Sequence, residues 1–499
     1  MNGNLFALIE SRCRPGASFL ETPAGVRWTY GDLLATTARY ANALRTAGVG
    51  PGDRVAVQVE KSPEAFCVYL AALRTGAIYV PLNTAYPPAE LEYFLGDCAP
   101  AVLICDPADA ARRSALAEAA GVGASLTLDG RGQGTFATVA AGEPAEFETA
   151  ERSRDDVAAI LYTSGTTGRQ KGAMLTHGNL ASNGEALAAA WGFGPGDVLL
   201  HALPIFHAHG LFIAAHCALL SGSAMLFASR FAAEEVLELL PRATVMMGVP
   251  TYYTRLLESP RLDRARCRDV RLFVSGSAPL LAETAAAFAA RTGHRILERY
   301  GMTEAIVIAS NPLDGERRPG SVGRPLEGVE LRIADASDAP RPPGAVGGVQ
   351  IRGTGVMKGY WRQPERTAQE FTADGWFRTG DLGVLAEDGY LSLVGRAKDL
   401  VISGGFNVYP KEVELAIDAL TGVAESAVFG VPHEDFGEAV TAAVVRSDPA
   451  LDGVAILAAL RDRLAAYKLP KSVHFVDELP RNAMGKVLKT ALRETFTKR

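Results

Sequence analysis

The chain has 499 residues, 48% of them hydrophobic and 21% charged, with a formal net charge of −6. That length holds roughly three domains at about 150 residues each, and the composition supplies a large core and excludes a disordered chain. The mild acidity argues against a nucleic acid or an anionic membrane as principal partner, and six dispersed cysteines (Cys13, Cys67, Cys98, Cys105, Cys217 and Cys267) contain no CxxC pair and suggest neither a zinc site nor a disulfide framework.

The opening run MNGNLFALIESRCRPG carries Glu10 and no sustained apolar stretch, so no signal peptide is expected. Asp32 is placed to cap a helix in which Leu33, Leu34, Ala38, Ala41 and Leu44 recur near the helical period. Gly48-Val-Gly-Pro-Gly52 ends it. The segment 54–58 reads as a buried strand, Pro63 opens a helix to Leu73, and residues 77–82 read as the next strand. Strand, helix and strand at this spacing predict a parallel sheet with helices on its faces. Residues 136–155 are rich in Ala and Glu without a period and read as a connecting segment. The apolar run 158–161 leads into a loop, and residues 177–191 read as a helix some residues later. The most apolar stretch, about 17 residues from Leu211, contains His216, Ser221 and Ser223, so it is short and polar for a membrane span. A cytoplasmic protein with reduced thiols is the expectation.

Residues 335–348 are dense in Pro and Gly, and short strands to Gly395 predict a small antiparallel or barrel-like subdomain. Residues 400–403 form a short strand closed by Gly404-Gly405. Pro410 then starts a helix with Val413, Ala416, Ile417 and Leu420 on one face. Further strands are expected at 424–431, 439–445 and 473–476, with a helix at 454–466. The expected class is α/β. A large N-terminal domain of α/β sheets with the small β-subdomain covers residues 1–396, and a small α+β C-terminal domain covers 397–499.

The strongest local signal is Leu161-Tyr-Thr-Ser-Gly-Thr-Thr-Gly-Arg-Gln-Lys-Gly172. Glycines let backbone N–H groups face an anion. Thr163, Ser164, Thr166 and Thr167 add hydroxyl donors, and Lys171 adds charge. The same composition also suits a plain surface turn, and the run is not a GxxxxGK[ST] loop.

With its context, TSGTTGxxKG resembles the phosphate-loop signature of the adenylate-forming superfamily, which includes acyl-CoA synthetases, luciferases and peptide-synthetase adenylation domains. The departure at Gln170 leaves Gly165, Gly168 and Lys171 intact. Four more segments match in the family's order. Tyr300-Gly-Met-Thr-Glu304 resembles YGxTE. The resemblance implies Tyr300, Gly301 and Met302 at the nucleotide, Thr303 on phosphate and Glu304 as the Mg²⁺ ligand, since a cation bridging phosphates needs a hard oxygen. The stretch 376–383 (WFRTGDLG) resembles the TGD motif and implies Asp381 on the ribose hydroxyls. Gly395-Arg-Ala-Lys-Asp399 resembles the hinge motif, with Arg396 on ribose or phosphate and Lys398 as pivot of a mobile C-terminal domain. Pro480–Lys486 resembles PxxxxGK and implies Lys486 as the adenylation lysine. Gly404 and Gly405 would line the pantetheine tunnel. Taken singly, Glu304 also suits an exposed carboxylate, Asp381 a turn beside Gly380, and Lys398 a solvated linker.

The resemblance implies ATP, Mg²⁺ and coenzyme A as cosubstrates, with small molecules, not nucleic acid or membrane, as partners. Phe206-His-Ala-His-Gly210 stands where the family's acyl pocket begins, and His207, replacing the aspartate of amino-acid-activating members, implies an acid without an amino group. With the chain ending shortly after Lys486, no fused carrier domain is expected. The runs 80–94, 203–212, 248–257, 272–280 and 403–414 look like malonyl-CoA synthetases, which implies a dicarboxylic acid. Its second carboxylate needs a cation if buried. Arg255, in a bidentate pairing helped by Ser275 or Ser277, is the candidate, although a helix-surface arginine fits the same position. Ala208 and Val307 replace a larger Thr and Met, opening room beside the α-carbon for methylmalonate or larger acids. Residues 305–308 would otherwise read as a core strand. The alternatives carried are a ligase for a small or medium-chain monocarboxylic acid and a catalytically inactive nucleotide-binding relative.

Overall fold

The computed structural model describes residues 2–163, 170–461, 463–482 and 485–497. Packing divides the chain into two compact units. The first comprises Met1–Pro319, Gly323–Glu330 and Arg352–Phe371. The second comprises Gly320–Val322, Leu331–Ile351 and Thr372–Arg499.

Among the described residues, the first unit is built on two sheets of nine and seven strands. In the nine-stranded sheet, Ser18–Glu21, Ala224–Phe227, Val198–His201, Val245–Gly248, Leu272–Ser275 and Leu297–Tyr300 run parallel side by side. Arg27–Thr29 closes one edge, and Ala309–Ser310 with Arg324–Pro325 closes the other, all antiparallel. In the seven-stranded sheet, Ala124–Thr127, Val102–Cys105, Arg54–Gln58, Ile78–Pro81 and Val157–Thr163 run parallel in that order. Lys171–Thr176 and Gly359–Tyr360 follow antiparallel. Parallel strands packed on both faces need continuous apolar runs, and Val102–Cys105 and Val245–Gly248 are buried throughout.

The expected helices form with sharper ends than the sequence conveys. Tyr30–Thr46 is capped by Thr29, and Asp32 serves as the third residue of a capping box instead of as the cap itself. Pro63–Thr75 starts on proline behind the Ser62 cap and ends on left-handed Gly76. The segment read as connecting begins with a helix, Thr135–Ala141. Its Phe136 and Ala140 are buried, an apolar pair too short to show a period. Among the described residues no helix is long and apolar enough to cross a membrane.

In the second unit, Val346–Gly353, Phe377–Leu385 and Leu391–Arg396 pair antiparallel within a four-stranded sheet completed by Val329–Ala334. A five-stranded sheet is centred on the hairpin Val423–His433 and Gly437–Arg446. Its core gathers Val401, Val413, Ile417, Val428, Val440 and Leu460. The helix Pro410–Asp418 supplies the expected Val413 and Ile417.

Candidate active site

In the first unit, the hairpin of Val157–Thr163 and Lys171–Thr176 sets Thr163 opposite Lys171. The expected phosphate-loop residues Ser164, Gly165, Thr166, Thr167 and Gly168 lie outside the described residues. Lys171 is part-buried, 3.4 Å from the Glu370 carboxylate and 4.2 Å above the Tyr360 ring. Tyr360 donates its hydroxyl to Glu304 Oε1 at 3.0 Å, and the Glu304 backbone carbonyl accepts from Met357 N–H at 2.7 Å. A buried carboxylate, a phenol and an ammonium therefore line up behind the loop's second strand. Burial and the Glu304 carboxylate push the Tyr360 phenol up, so it stays a donor.

Tyr300 ends the strand Leu297–Tyr300 and is buried, and Gly301, Met302 and Thr303 are part-buried after it. A Cβ on Gly301 would fall 1.9 Å from the Ile306 carbonyl oxygen, so only glycine fits where the chain doubles back. Residues 305–308 are buried but are not a strand, and Ile306 has φ +60°. Val307 is fully buried, its carbonyl accepting from Asn183 Nδ2 at 2.8 Å.

A second cluster surrounds His207 in the same unit. His207 Nδ1 accepts from the backbone N–H of His209 at 3.2 Å, and Ala208 between them is buried. His209 Nδ1 lies 3.2 Å from Ser277 Oγ, and Ser277 has φ +72°. Burial, with Arg299 adding, draws the His207 imidazolium pKa down to about 4. Burial, then the Arg299 cation, holds His209 well below the ordinary imidazole range, so both rings are neutral.

Arg299 was not singled out from the sequence. It lies 6% exposed in the strand Leu297–Tyr300, with Nε and Nη2 buried and without a hydrogen-bond partner among the described residues. A Cβ on Gly276 would fall 2.3 Å from its Nε, so the guanidinium occupies the space that glycine leaves open. Burial draws its pKa down to about 10, and it remains a cation at neutral pH. Ser275 Oγ is also buried without a partner among the described residues. Arg255 does not meet its expectation. It sits in the last turn of the helix Pro250–Glu258 with its side chain exposed, while Tyr253 and Leu256 face the core. No local pattern marks Arg299: it stands beside a second charged residue in Leu297-Glu-Arg-Tyr300, and its burial is what sets it apart.

In the second unit, Asp381 is buried, and cross-strand Arg396 places Nε 2.7 Å from its Oδ1. Lys398 lies exposed in the short helical turn Ala397–Asp399. Gly404 and Gly405, at φ +59° and +82°, turn the hairpin Val401–Ser403 and Phe406–Val408. Asn482 holds the turn before Lys486, accepting from the Lys486 backbone N–H at 3.0 Å through Oδ1 and donating to its carbonyl at 2.9 Å. Much of the Lys486 residue is open to solvent, yet its ammonium lies within the fields of Arg396, Asp381, Lys398 and Asp399. Desolvation first, then the Arg396 cation, draws its pKa down to about 8.

The profile of the AMP-binding enzyme family matches residues 10–361, and that of the AMP-binding enzyme C-terminal domain matches residues 412–486. The chain belongs to the AMP-binding enzyme family. It is 40% identical to a feruloyl-CoA synthase from Amycolatopsis sp, covering 95% of this chain and 94% of that one. It is 35% identical to a malonate–CoA ligase from Arabidopsis thaliana, covering 95% and 85%. The crystal structure of ATP-bound MatB from Rhodopseudomonas palustris matches with a TM-score of 0.98 at 52% identity, covering 100% of this chain and 99% of that one.

Proposed function

We propose that the acid activated by this AMP-forming acid–CoA ligase is malonate, or a malonate bearing an apolar substituent on its α-carbon. The observation that carries this reading is Arg299, a buried guanidinium with two donor atoms that no described side chain satisfies. Leaving a buried charge without a counter-ion costs several kcal/mol, and a second carboxylate on the acid removes that cost. Ser275, likewise unpartnered, supplies a further donor. A monocarboxylic acid such as the one named for the feruloyl-CoA synthases would leave Arg299 uncompensated. The neutral rings of His207 and His209 carry no negative charge to pair with an ammonium and none to repel an anion.

The reaction follows in two half-reactions. A carboxylate oxygen of the acid attacks the α-phosphorus of ATP, a P–O bond forms, and the bond to pyrophosphate breaks. The CoA sulfur, once its proton has left, then attacks the acyl carbonyl and AMP departs. Positioning and charge neutralisation supply most of the first step. Lys171 and the hydroxyls of Thr163, Ser164, Thr166 and Thr167 serve the triphosphate, Tyr300 the adenine, and the Asp381–Arg396 pair the ribose. Lys486 brings its ammonium to the attacking oxygen and the phosphate. Glu304 is the buried carboxylate suited to a magnesium ion. Among the described residues no group of three or more His, Cys, Asp or Glu side chains is placed to hold a metal, so substrate phosphates and water would complete the shell. Bound there, Mg²⁺ would neutralise phosphate charge. The domain carrying Lys486, residues 397–499, turns about Lys398 between the steps, and Gly404 and Gly405 admit the pantetheine arm.

A panel of mono- and dicarboxylic acids with ATP, Mg²⁺ and CoA, scored by pyrophosphate release and thioester mass, tests the reading. Malonates are expected to lead. Equal or faster turnover of propionate or ferulate contradicts it.

A further inference from the structure

Lys61 is a buried charged group that the mechanism does not use. It is 6% exposed in the first unit, immediately before the Ser62 cap of the helix Pro63–Thr75. Its Nζ lies 2.8 Å from His201 Nδ1 and 2.7 Å from the His201 carbonyl oxygen. The Phe227 ring centroid is 4.2 Å away. Among the described residues no carboxylate comes within ion-pair distance of it. Burying an amine beside two neutral acceptors costs more than filling the same space with an apolar chain, so the geometry calls for a reason.

His201 ends the strand Val198–His201, and its Nε2 lies 2.9 Å from the Gly210 carbonyl oxygen. A carbonyl only accepts, so Nε2 carries the proton and Nδ1 presents its lone pair to Lys61. Burial, then the Lys61 charge, pushes the His201 imidazolium down to about 3, which keeps the ring neutral. Gly210 belongs to the π-helical turn His209–Ala214, and its carbonyl also accepts from the backbone N–H of Ala215. A Cβ there would fall 2.1 Å from the Pro204 carbonyl oxygen. The turn is thus pressed against residue 204 on one side and tied to His201 on the other. π-Turns are scarce and concentrate at functional sites, and this one begins at His209, whose ring contacts Ser277 and lies in the field of Arg299.

We infer that Lys61 and His201 are positioning residues for the acid subsite: Lys61 fixes the His201 tautomer, His201 Nε2–H fixes the Gly210 carbonyl, and the anchored turn sets His207 and His209 against Arg299. The inference rests on the reading of this cluster as the acid subsite. It assigns neither residue to the nucleotide.

The test is steady-state pyrophosphate release, run with whichever acid turns over fastest, so that failure of malonate counts against the substrate reading alone. Lys61→Met and His201→Leu are expected to lower kcat/KM for the acid at least tenfold while KM for ATP stays within about twofold. His201→Gln, whose amide N–H reaches toward the Gly210 carbonyl, is expected to regain most of that loss. Nitrogen-15 NMR of the wild-type imidazoles, with the His201 ring assigned by through-bond correlation from its own backbone, is expected to show Nε2–H at neutral pH. Acid and ATP constants that move together, or Leu and Gln variants that behave alike, overturn the inference. An Nδ1–H signature for His201 overturns it even if the variants fail to fold.

Discussion

Lys486 owes its depressed pKa of about 8 to desolvation and to the Arg396 cation beside it. The charged ammonium is the form that neutralises phosphate. With its pKa lowered, that form is complete below pH 7 and is lost as pH rises through 8, where an ordinary lysine stays charged to about 10. Adenylation followed by pyrophosphate release is expected to fall above pH 8, while thioester formation from supplied acyl-adenylate keeps a different profile. Lys486→Arg, always charged, is expected to flatten the alkaline limb at a reduced rate. Identical limbs for the native and Arg enzymes would contradict this assignment. Tyr360 makes a smaller contribution. Tyr360→Phe removes one hydrogen bond to the buried Glu304 and is expected to cost about 1–3 kcal/mol, read as up to about a hundredfold in adenylation rate.

At the scale of elements, the proposed acid subsite is assembled from the ends of parallel strands, where an open α/β sheet places its ligands. Leu272–Ser275 hands the chain to Gly276 and left-handed Ser277, and the adjacent Leu297–Tyr300 delivers Arg299 and Tyr300. The buried loop 305–308 follows and carries Val307. Ala208→Thr combined with Val307→Met adds bulk to both sides of the proposed α-carbon space. The double variant is expected to shift the ratio of kcat/KM for malonate over alkylmalonates about tenfold toward malonate, within the 1–3 kcal/mol that a methylene is worth. An unchanged ratio would place those two side chains outside the subsite. These elements also show what sequence reading reaches. The strand 54–58 and the proline-opened helix at 63 were legible because periodicity and caps are local. The helix Thr135–Ala141 was hidden because two apolar residues in an alanine-rich run define no period. The loop at 305–308 resembled a strand because Ile-Val-Ile is β-branched, whereas Ile306 is left-handed and its carbonyl crowds Gly301, neither of which a local pattern reveals.

Across the whole molecule, the residues proposed for the nucleotide each lie in a contiguous motif that a sequence displays, whereas the proposed acid subsite is stitched together from separate strands. Arg255 and Arg299 are equally arginine in the sequence, and only burial separates them. In the proposed mechanism the two half-reactions divide the labour between parts far apart in the sequence. Lys486→Ala is expected to abolish pyrophosphate release yet spare thioester formation from supplied adenylate, and equal loss of both would contradict that division. The substrate reading itself turns on one buried charge. A bidentate guanidinium–carboxylate pairing contributes about 3 kcal/mol, roughly a hundredfold in rate. The decisive measurement is kcat/KM for malonate and for propionate in the native enzyme and in Arg299→Met. Malonate is expected to exceed propionate by a hundredfold or more in the native enzyme, and the variant is expected to erase that preference. A preference for malonate that survives Arg299→Met, or one that is absent from the native enzyme, would contradict the account.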